Sequence, residues 1–170
     1  PFLQIVYPQM IRRDDDNPPK VGQYRLGSSA VNELDAVVLR VTKFRELEEG
    51  QDRDKKVTCA SDDGMAPLGR IAEPKAAECA DCPFAQWDDD PATGKRKPPK
   101  CSPGLAFFAV WPEREDAPFI FRVKKSALRA GQELVSGMMT DTAPPRPRGP
   151  FAYLTHFGRT EEKRNGSIVY

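Results

Sequence analysis

Along most of this chain the alternation of apolar and polar positions marks out strands rather than helices. The clearest run is 34–44 (LDAVVLRVTKF), where Val37, Leu39 and Val41 fall on one face and Val38, Arg40, Thr42 and Phe44 on the other. Period-two alternation rich in β-branched residues predicts a strand half-buried in a sheet. The stretch 22–26 (GQYRL) offers a partner strand. Residues 105–111 (LAFFAVW) are apolar on both faces, which predicts a central strand. In 119–125 (FIFRVKK), Phe119, Phe121 and Val123 share one face and Ile120, Arg122 and Lys124 the other. From Ser126 to about Met139 the period changes. Ser126 is placed as an N-cap, and Leu128, Leu134, Val135, Met138 and Met139 form an apolar stripe, which predicts a helix. The run 143–150 (APPRPRGP) ends it. Residues 151–157 (FAYLTHF) predict another strand, and Asn165-Gly166 a type I′ hairpin turn before 167–170 (SIVY).

Five or six strands with one helix predict a mainly β protein. The closest expectation is an OB-like five-stranded barrel with one helix, with a β-sandwich as the competing architecture. The length of 170 residues suits a single domain, 1–170. No internal repeat or coiled-coil heptad occurs.

The segment 59–101 breaks this picture. It is rich in Asp, Lys and Pro, poor in aliphatic residues, and holds all four cysteines of the chain. Such a composition does not build a core of its own, so it reads as an insertion needing another staple. Cys59, Cys79, Cys82 and Cys101 are spaced C-x19-C-x2-C-x18-C. A C-x2-C turn lets two thiolates reach one tetrahedral ion, and the outer cysteines border the two strand-rich regions. The pattern predicts a structural Zn2+ held by four sulfurs. Two disulfides or unligated thiols are the competing readings. A deaminase-type catalytic zinc is excluded, because neither the Cys or His two residues before a Glu nor a Pro-Cys-x-x-Cys run is present.

Charge and composition narrow the function classes. There are 26 basic and 25 acidic residues, so neither a wholly basic nucleic-acid arm nor an acidic tail describes the whole chain. Twelve glycines and seventeen prolines, about a sixth of the residues, make loops plentiful. No apolar run is long enough for a transmembrane helix, and residues 1–10 (PFLQIVYPQM) lack the basic start and apolar stretch of a signal peptide. The expectation is a cytoplasmic protein with no membrane partner. No Gly-rich phosphate loop, HExxH or GxSxG motif occurs. His156, the only histidine, lies in an apolar strand pattern and reads as a structural residue. The triplets Asp14–Asp16 and Asp88–Asp90 read as solvated turns, with divalent-ion sites as the rival. The expectation is a non-enzymatic protein.

Single-strand nucleic-acid binders combine cations that follow phosphates with rings on which bases stack. Candidate rings are Tyr24, Phe44, Trp87, Trp111, Phe121 and Tyr153. Candidate phosphate contacts are Arg40, Lys43, Arg45, Arg122, Lys124 and Lys125. Lys95, Arg96, Lys97 and Lys100 cluster in the insertion. For each ring the competing reading is core packing, and for each cation a solvated face.

The runs 59–64 (CASDDG), 79–87 (CADCPFAQW), 97–101 (KPPKC) and 119–127 (FIFRVKKSA) together resemble a group of tailed-phage (bacteriophage) proteins. These are taken to be single-stranded DNA-binding proteins of the OB class with a zinc-binding insertion. The resemblance covers about residues 50–170, and its specific part is the Cys-x2-Cys-Pro-aromatic-x2-Trp knuckle with the outer cysteines. It implies zinc on Cys59, Cys79, Cys82 and Cys101, and a role with single-stranded DNA and replication or recombination proteins. Phage and bacterial single-strand binders frequently end in an acidic tail that recruits partner enzymes, whereas this sequence ends SIVY. The alternative expectation is a zinc-stapled adaptor that binds a polymerase or a transcription complex.

Overall fold

In a computed structural model of the chain, the described residues are 2–5, 24–26, 29–50, 56–69, 74–114, 117–140, 150–158, 162–164 and 167–169. They are mainly β, with one α-helix. The strands are β1 (Phe2–Ile5), β2 (Tyr24–Leu26), β3 (Ser29–Val31), β4 (Leu34–Glu49), β5 (Lys56–Ser61), β6 (Asp88–Asp89), β7 (Arg96–Lys97), β8 (Cys101–Trp111), β9 (Ala117–Lys124), β10 (Leu154–Phe157), β11 (Glu162–Arg164) and β12 (Ser167–Val169).

The alternation read at 34–44 continues to Glu49, so β4 is longer than its sequence pattern indicated. Its even-numbered face carries the buried Leu34, Ala36, Val38 and Phe44, while Leu39 on the other face is exposed. β4 pairs antiparallel with β10 near its start and with β5 near its end, where a register shift falls between Leu47 and Glu48. β8 lies between β4 and β9, which is the central position its two apolar faces require. β9 buries Phe119, Phe121 and Val123 and pairs in parallel with β1. The stretch containing Tyr24 is a strand, but its partners are β1 and β3 rather than the long β4.

Three further expectations are corrected. Ser126 does not cap the helix: it lies inside a 3-10 turn (Lys125–Ala127) that leads into α1 (Leu128–Thr140). On that helix Met138 is buried, but Met139 is exposed and falls outside the apolar stripe. The strand read at 151–157 starts only at Leu154, because Pro150–Ala152 form a 3-10 turn and Phe151 is exposed. β11 and β12 form the expected antiparallel pair with Arg164 opposite Ser167, although the turn residues 165–166 lie outside the described residues.

The chain divides into two compact units. The first draws on residues 1–41, 107–122 and 135–170. Its core includes a run of edge-to-face rings: Tyr24 on Phe121 with centroids 5.8 Å apart, Phe121 on Phe157 at 5.4 Å and Phe107 on Phe157 at 6.3 Å. Such pairs are attractive because a positive ring edge meets a negative face. The Tyr24 hydroxyl donates to the Gly158 carbonyl at 2.8 Å, which satisfies its polar end. The second unit draws on residues 42–106 and 123–134 and contains the whole cysteine-rich segment.

Candidate functional site: the cysteine cluster and its hairpin

Within the second unit, Leu47, Cys82, Ala85 and Cys101 are buried together, and Cys59, Ala76 and Phe84 pack against them. The outer cysteines arrive on strands and the inner pair on one turn. Cys59 lies in β5 directly opposite Leu47 of β4. Cys101 opens β8. Cys79 and Cys82 bracket a turn in which the Cys82 N–H donates to the Cys79 carbonyl at 3.4 Å. Pro83 then opens a 3-10 turn (Pro83–Ala85), and the Ala85 N–H donates to the Cys82 carbonyl at 2.9 Å. The turn is braced from outside, since the Gln86 Nε2 donates to the Ala80 carbonyl at 2.6 Å and the Cys79 N–H to the Met65 carbonyl at 2.7 Å.

All four thiols are free, which leaves the disulfide reading without support here. Burial pushes the Cys101 thiol up to about 11, the nearby Arg45 guanidinium opposes that rise, and charge on Cys79, Cys82 and Cys59 adds to it. As they stand, no group of three or more His, Cys, Asp or Glu side chains among the described residues is arranged to hold a metal ion. Four free thiols are a donor set that zinc takes, and Cys59, Cys82 and Cys101 share one small cluster, but the described side chains as placed form no site for an ion. Seating an ion requires the thiols to draw together and lose their protons.

The loop before Cys79 is ordered by its own polar groups. Asp63 Oδ1 accepts from the Met65 N–H at 2.7 Å, the Ala66 N–H at 3.2 Å and the Ser61 hydroxyl at 2.8 Å. These donors, the Met65 amide foremost, hold the Asp63 carboxyl below its ordinary range. Gly64 follows with φ of 76°.

Beyond the knuckle, β6 and β7 form a small antiparallel hairpin, with Asp88 opposite Lys97 and Asp89 opposite Arg96. Its turn is set by Asp90, whose carboxylate accepts from the Ala92 N–H at 3.0 Å and pairs with Lys97 at 3.2 Å. Gly94 supplies the left-handed residue the turn needs, at φ 64°. Asp88–Asp90 thus serve the hairpin's pairing and turn. Asp14–Asp16 lie outside the described residues.

Two cation–ring contacts decorate this segment. The Arg96 guanidinium lies 5.4 Å from the centroid of Trp87, and Lys100 Nζ lies 5.8 Å from that of Phe84. Trp87 is 56% exposed, so its ring is open to solvent.

The expected stacking rings divide sharply. Trp87 is the exposed one. Tyr24, Phe44, Trp111 and Phe121 are buried, which corrects the expectation that bases stack on them: their rings fill the interior. Tyr153 is half-buried. Among the cations, Arg40 and Lys43 are exposed on β4 and Arg122 is half-buried on β9. Lys124 is half-buried and ion-paired, with Nζ 3.0 Å from Glu46 Oε2 and in contact with Glu48 Oε1. Lys125 also reaches Glu48, at 3.3 Å. Desolvation works against the Lys124 charge, but the bonds to Glu48 and Glu46 outweigh it and raise its pKa. The bond to Lys124 correspondingly lowers Glu48. Arg45 is half-buried, with Nη1 shut off from solvent.

Phe84 was not among the candidate rings, and Arg96 and Lys100 were noted only as part of the cation cluster of the insertion. The signal for them was present in the ring–x2–ring spacing of Phe84 and Trp87 followed by four cations within 95–100. His156 lies on the surface, with Nδ1 2.8 Å from Asp35 Oδ1 and Nε2 3.5 Å from Glu33 Oε2. Among the described residues no helix is long and apolar enough to cross a membrane. No family model, curated protein or solved structure matches this chain.

Proposed function

We propose that this chain is a non-enzymatic, sequence-tolerant single-stranded DNA-binding protein acting in replication or recombination. In this reading it is an OB-like protein, and 59–101 is an insertion stapled by structural zinc on Cys59, Cys79, Cys82 and Cys101. The zinc would fill its tetrahedron with sulfur and supply folding energy, leaving no open position for chemistry.

The observation that carries the reading is the exposed Trp87 ring beside the Arg96 guanidinium, on a hairpin adjoining the cysteine cluster. A base can stack on an open indole whatever its identity, which gives affinity without sequence preference. Lys95, Arg96 and Lys100 are exposed around it and suit a phosphate track. The tailed-phage resemblance adds the same direction from the sequence side.

A protein-binding adaptor is the second reading, favoured by the mixed charge of the hairpin, where Asp90 already engages Lys97. Anisotropy of a labelled oligo-dT, titrated at two salt concentrations with duplex as competitor, separates the two. Single-strand binding should weaken as salt rises, with a logarithmic slope of about 0.7 per phosphate contacted, and duplex should compete poorly. Absence of binding at low salt overturns the DNA reading and leaves the adaptor.

A further inference from the structure

The β6–β7 hairpin leaves one carboxylate without the partner that its register offers. Asp89 stands directly opposite Arg96, and Asp88 opposite Lys97. Opposite charges facing each other across two strands ordinarily pair. Lys97 does reach a carboxylate, that of Asp90 at 3.2 Å. Arg96 instead turns its guanidinium to the Trp87 ring, 5.4 Å from the centroid. Among the described residues no hydrogen bond or ion pair engages the Asp89 carboxylate or the Arg96 guanidinium. Arg96 spans from the position opposite Asp89 to Trp87, so ring, guanidinium and free carboxylate lie on one face of the hairpin. Successive residues of a strand point to opposite faces, which puts Asp88 and Lys97 on the other. Trp87, Asp89 and Arg96 are all exposed.

An ionised carboxylate accepts hydrogen bonds and donates none. Beside a base stacked on Trp87 it therefore selects by the donors on that base's edge. Guanine presents two donors side by side, N1–H and the N2 amino group, which match the two carboxylate oxygens. Its O6 acceptor stands next to them, where a guanidinium N–H can donate. Adenine and cytosine each set one amino donor beside a ring-nitrogen acceptor, and thymine sets one N–H between two carbonyls. Each of these turns an acceptor toward the carboxylate.

We propose that Asp89, with Arg96, makes the Trp87 face of the hairpin a guanine subsite for single-stranded DNA. The inference rests on the single-stranded DNA reading given above and deepens it. Phosphate contacts stay tolerant of sequence, and one position of the bound strand gains a base preference. No metal enters the argument for this subsite.

The test is competition against labelled oligo-dT, read by anisotropy. The competitors are oligo-dT and the same oligomer carrying one dG, one dA or one deoxyinosine. Wild type is compared with Asp89→Asn and Asp88→Asn, which remove the same charge from opposite faces. The dG oligomer should compete at least about 5-fold better than the dA oligomer, the lower end expected of a two-bond base contact. Deoxyinosine, which keeps N1–H and lacks the N2 amino group, should fall between them. Asp89→Asn should abolish the preference and Asp88→Asn should keep it. If no oligomer binds, the DNA reading and this inference fall together. If wild type binds the dG, dA and deoxyinosine oligomers equally, only the guanine subsite is overturned. A preference that survives in Asp89→Asn, or is lost equally in Asp88→Asn, removes Asp89 from the role. The deoxyinosine comparison uses wild type alone, so it decides the question if a variant does not fold.

Discussion

The ring of Phe44 lies directly over Gly104. A Cβ at position 104 would stand 2.3 Å from Phe44 Cζ and 2.4 Å from Cε1, and 2.8 Å from the Val123 carbonyl oxygen. β8 accepts the ring only because position 104 has no side chain. Gly104→Ala should therefore cost about 1–3 kcal/mol through overpacking, and Phe44→Ala about 3–5 kcal/mol through the cavity left behind. Urea unfolding midpoints measure both. A Phe44→Ala protein of native stability would contradict the burial of this ring.

Trp87 is expected to behave in the opposite way. Trp87→Ala should leave the unfolding midpoint within about 0.5 kcal/mol of wild type. It should weaken oligo-dT binding roughly 5- to 150-fold, the equivalent of one lost stacking contact. Indole fluorescence quenched on adding oligo-dT to wild type, and much less in the variant, would locate the contact on this hairpin.

For the cysteine cluster, chelation of a zinc-loaded sample should lower the melting temperature. Hydrogen exchange should then accelerate within 59–101 first, because few apolar groups there replace the staple. Cys82→Ser and Cys101→Ser should reproduce the effect without chelator. Elemental analysis showing no metal in the purified chain, with a melting temperature indifferent to chelator, would remove the zinc reading.

His156 gives a pH dependence of known sign. Its hydrogen bond to Asp35, with Glu33 assisting, raises its pKa above the ordinary value of 6.5. The stabilisation is fully present below the unfolded pKa and fades as the pH climbs through the raised folded one. A small loss of stability is expected on going upward from about pH 6.5. His156→Gln should flatten that segment of the stability profile, and an NMR titration of the imidazole should give a pKa above 6.5.

Lys124→Met should destabilise the protein by about 1–3 kcal/mol, because Glu46 is buried and would lose the Lys124 ammonium. If Lys124 instead contacted phosphate, the variant would lower the salt slope of oligo-dT binding by about 0.7 at unchanged stability.

The strands were legible where the period-two pattern was strong: β8 and β9 fall where LAFFAVW and FIFRVKK place them. The face of β4 that is buried was not legible, because Val37, Leu39 and Val41 are as apolar as the even-numbered set that fills the core. Alternation gives two faces, and only tertiary packing chooses between them. The same ambiguity explains the aromatic candidates. Rings flanked by cations look alike on a groove and on a core strand whose edges are solvated, so Phe44 and Phe121 were indistinguishable from Trp87 by composition. The helix start was misplaced because a serine after two lysines satisfies the capping preference, while the backbone tightens into a 3-10 turn there and leaves no side-chain cap. The spacing pointed to the cysteines as a group, and Cys59, Cys82 and Cys101 do pack together. The orientation of Arg45 was not legible, since it depends on the register of β4 against β5.

The outer cysteines sit at strand positions, Cys59 in β5 and Cys101 at the head of β8, while the inner pair shares one turn. Cys82 and Cys101 pack in one small patch, so the arm 83–100 between them is closed at both ends. Closing such an arm costs little more when it is longer, about 0.6 kcal/mol for each doubling. The arm can thus be lengthened or shortened at little cost. That makes the hairpin tip at 91–93 the natural place to graft a reporter peptide, because the strands behind it never sense the added length.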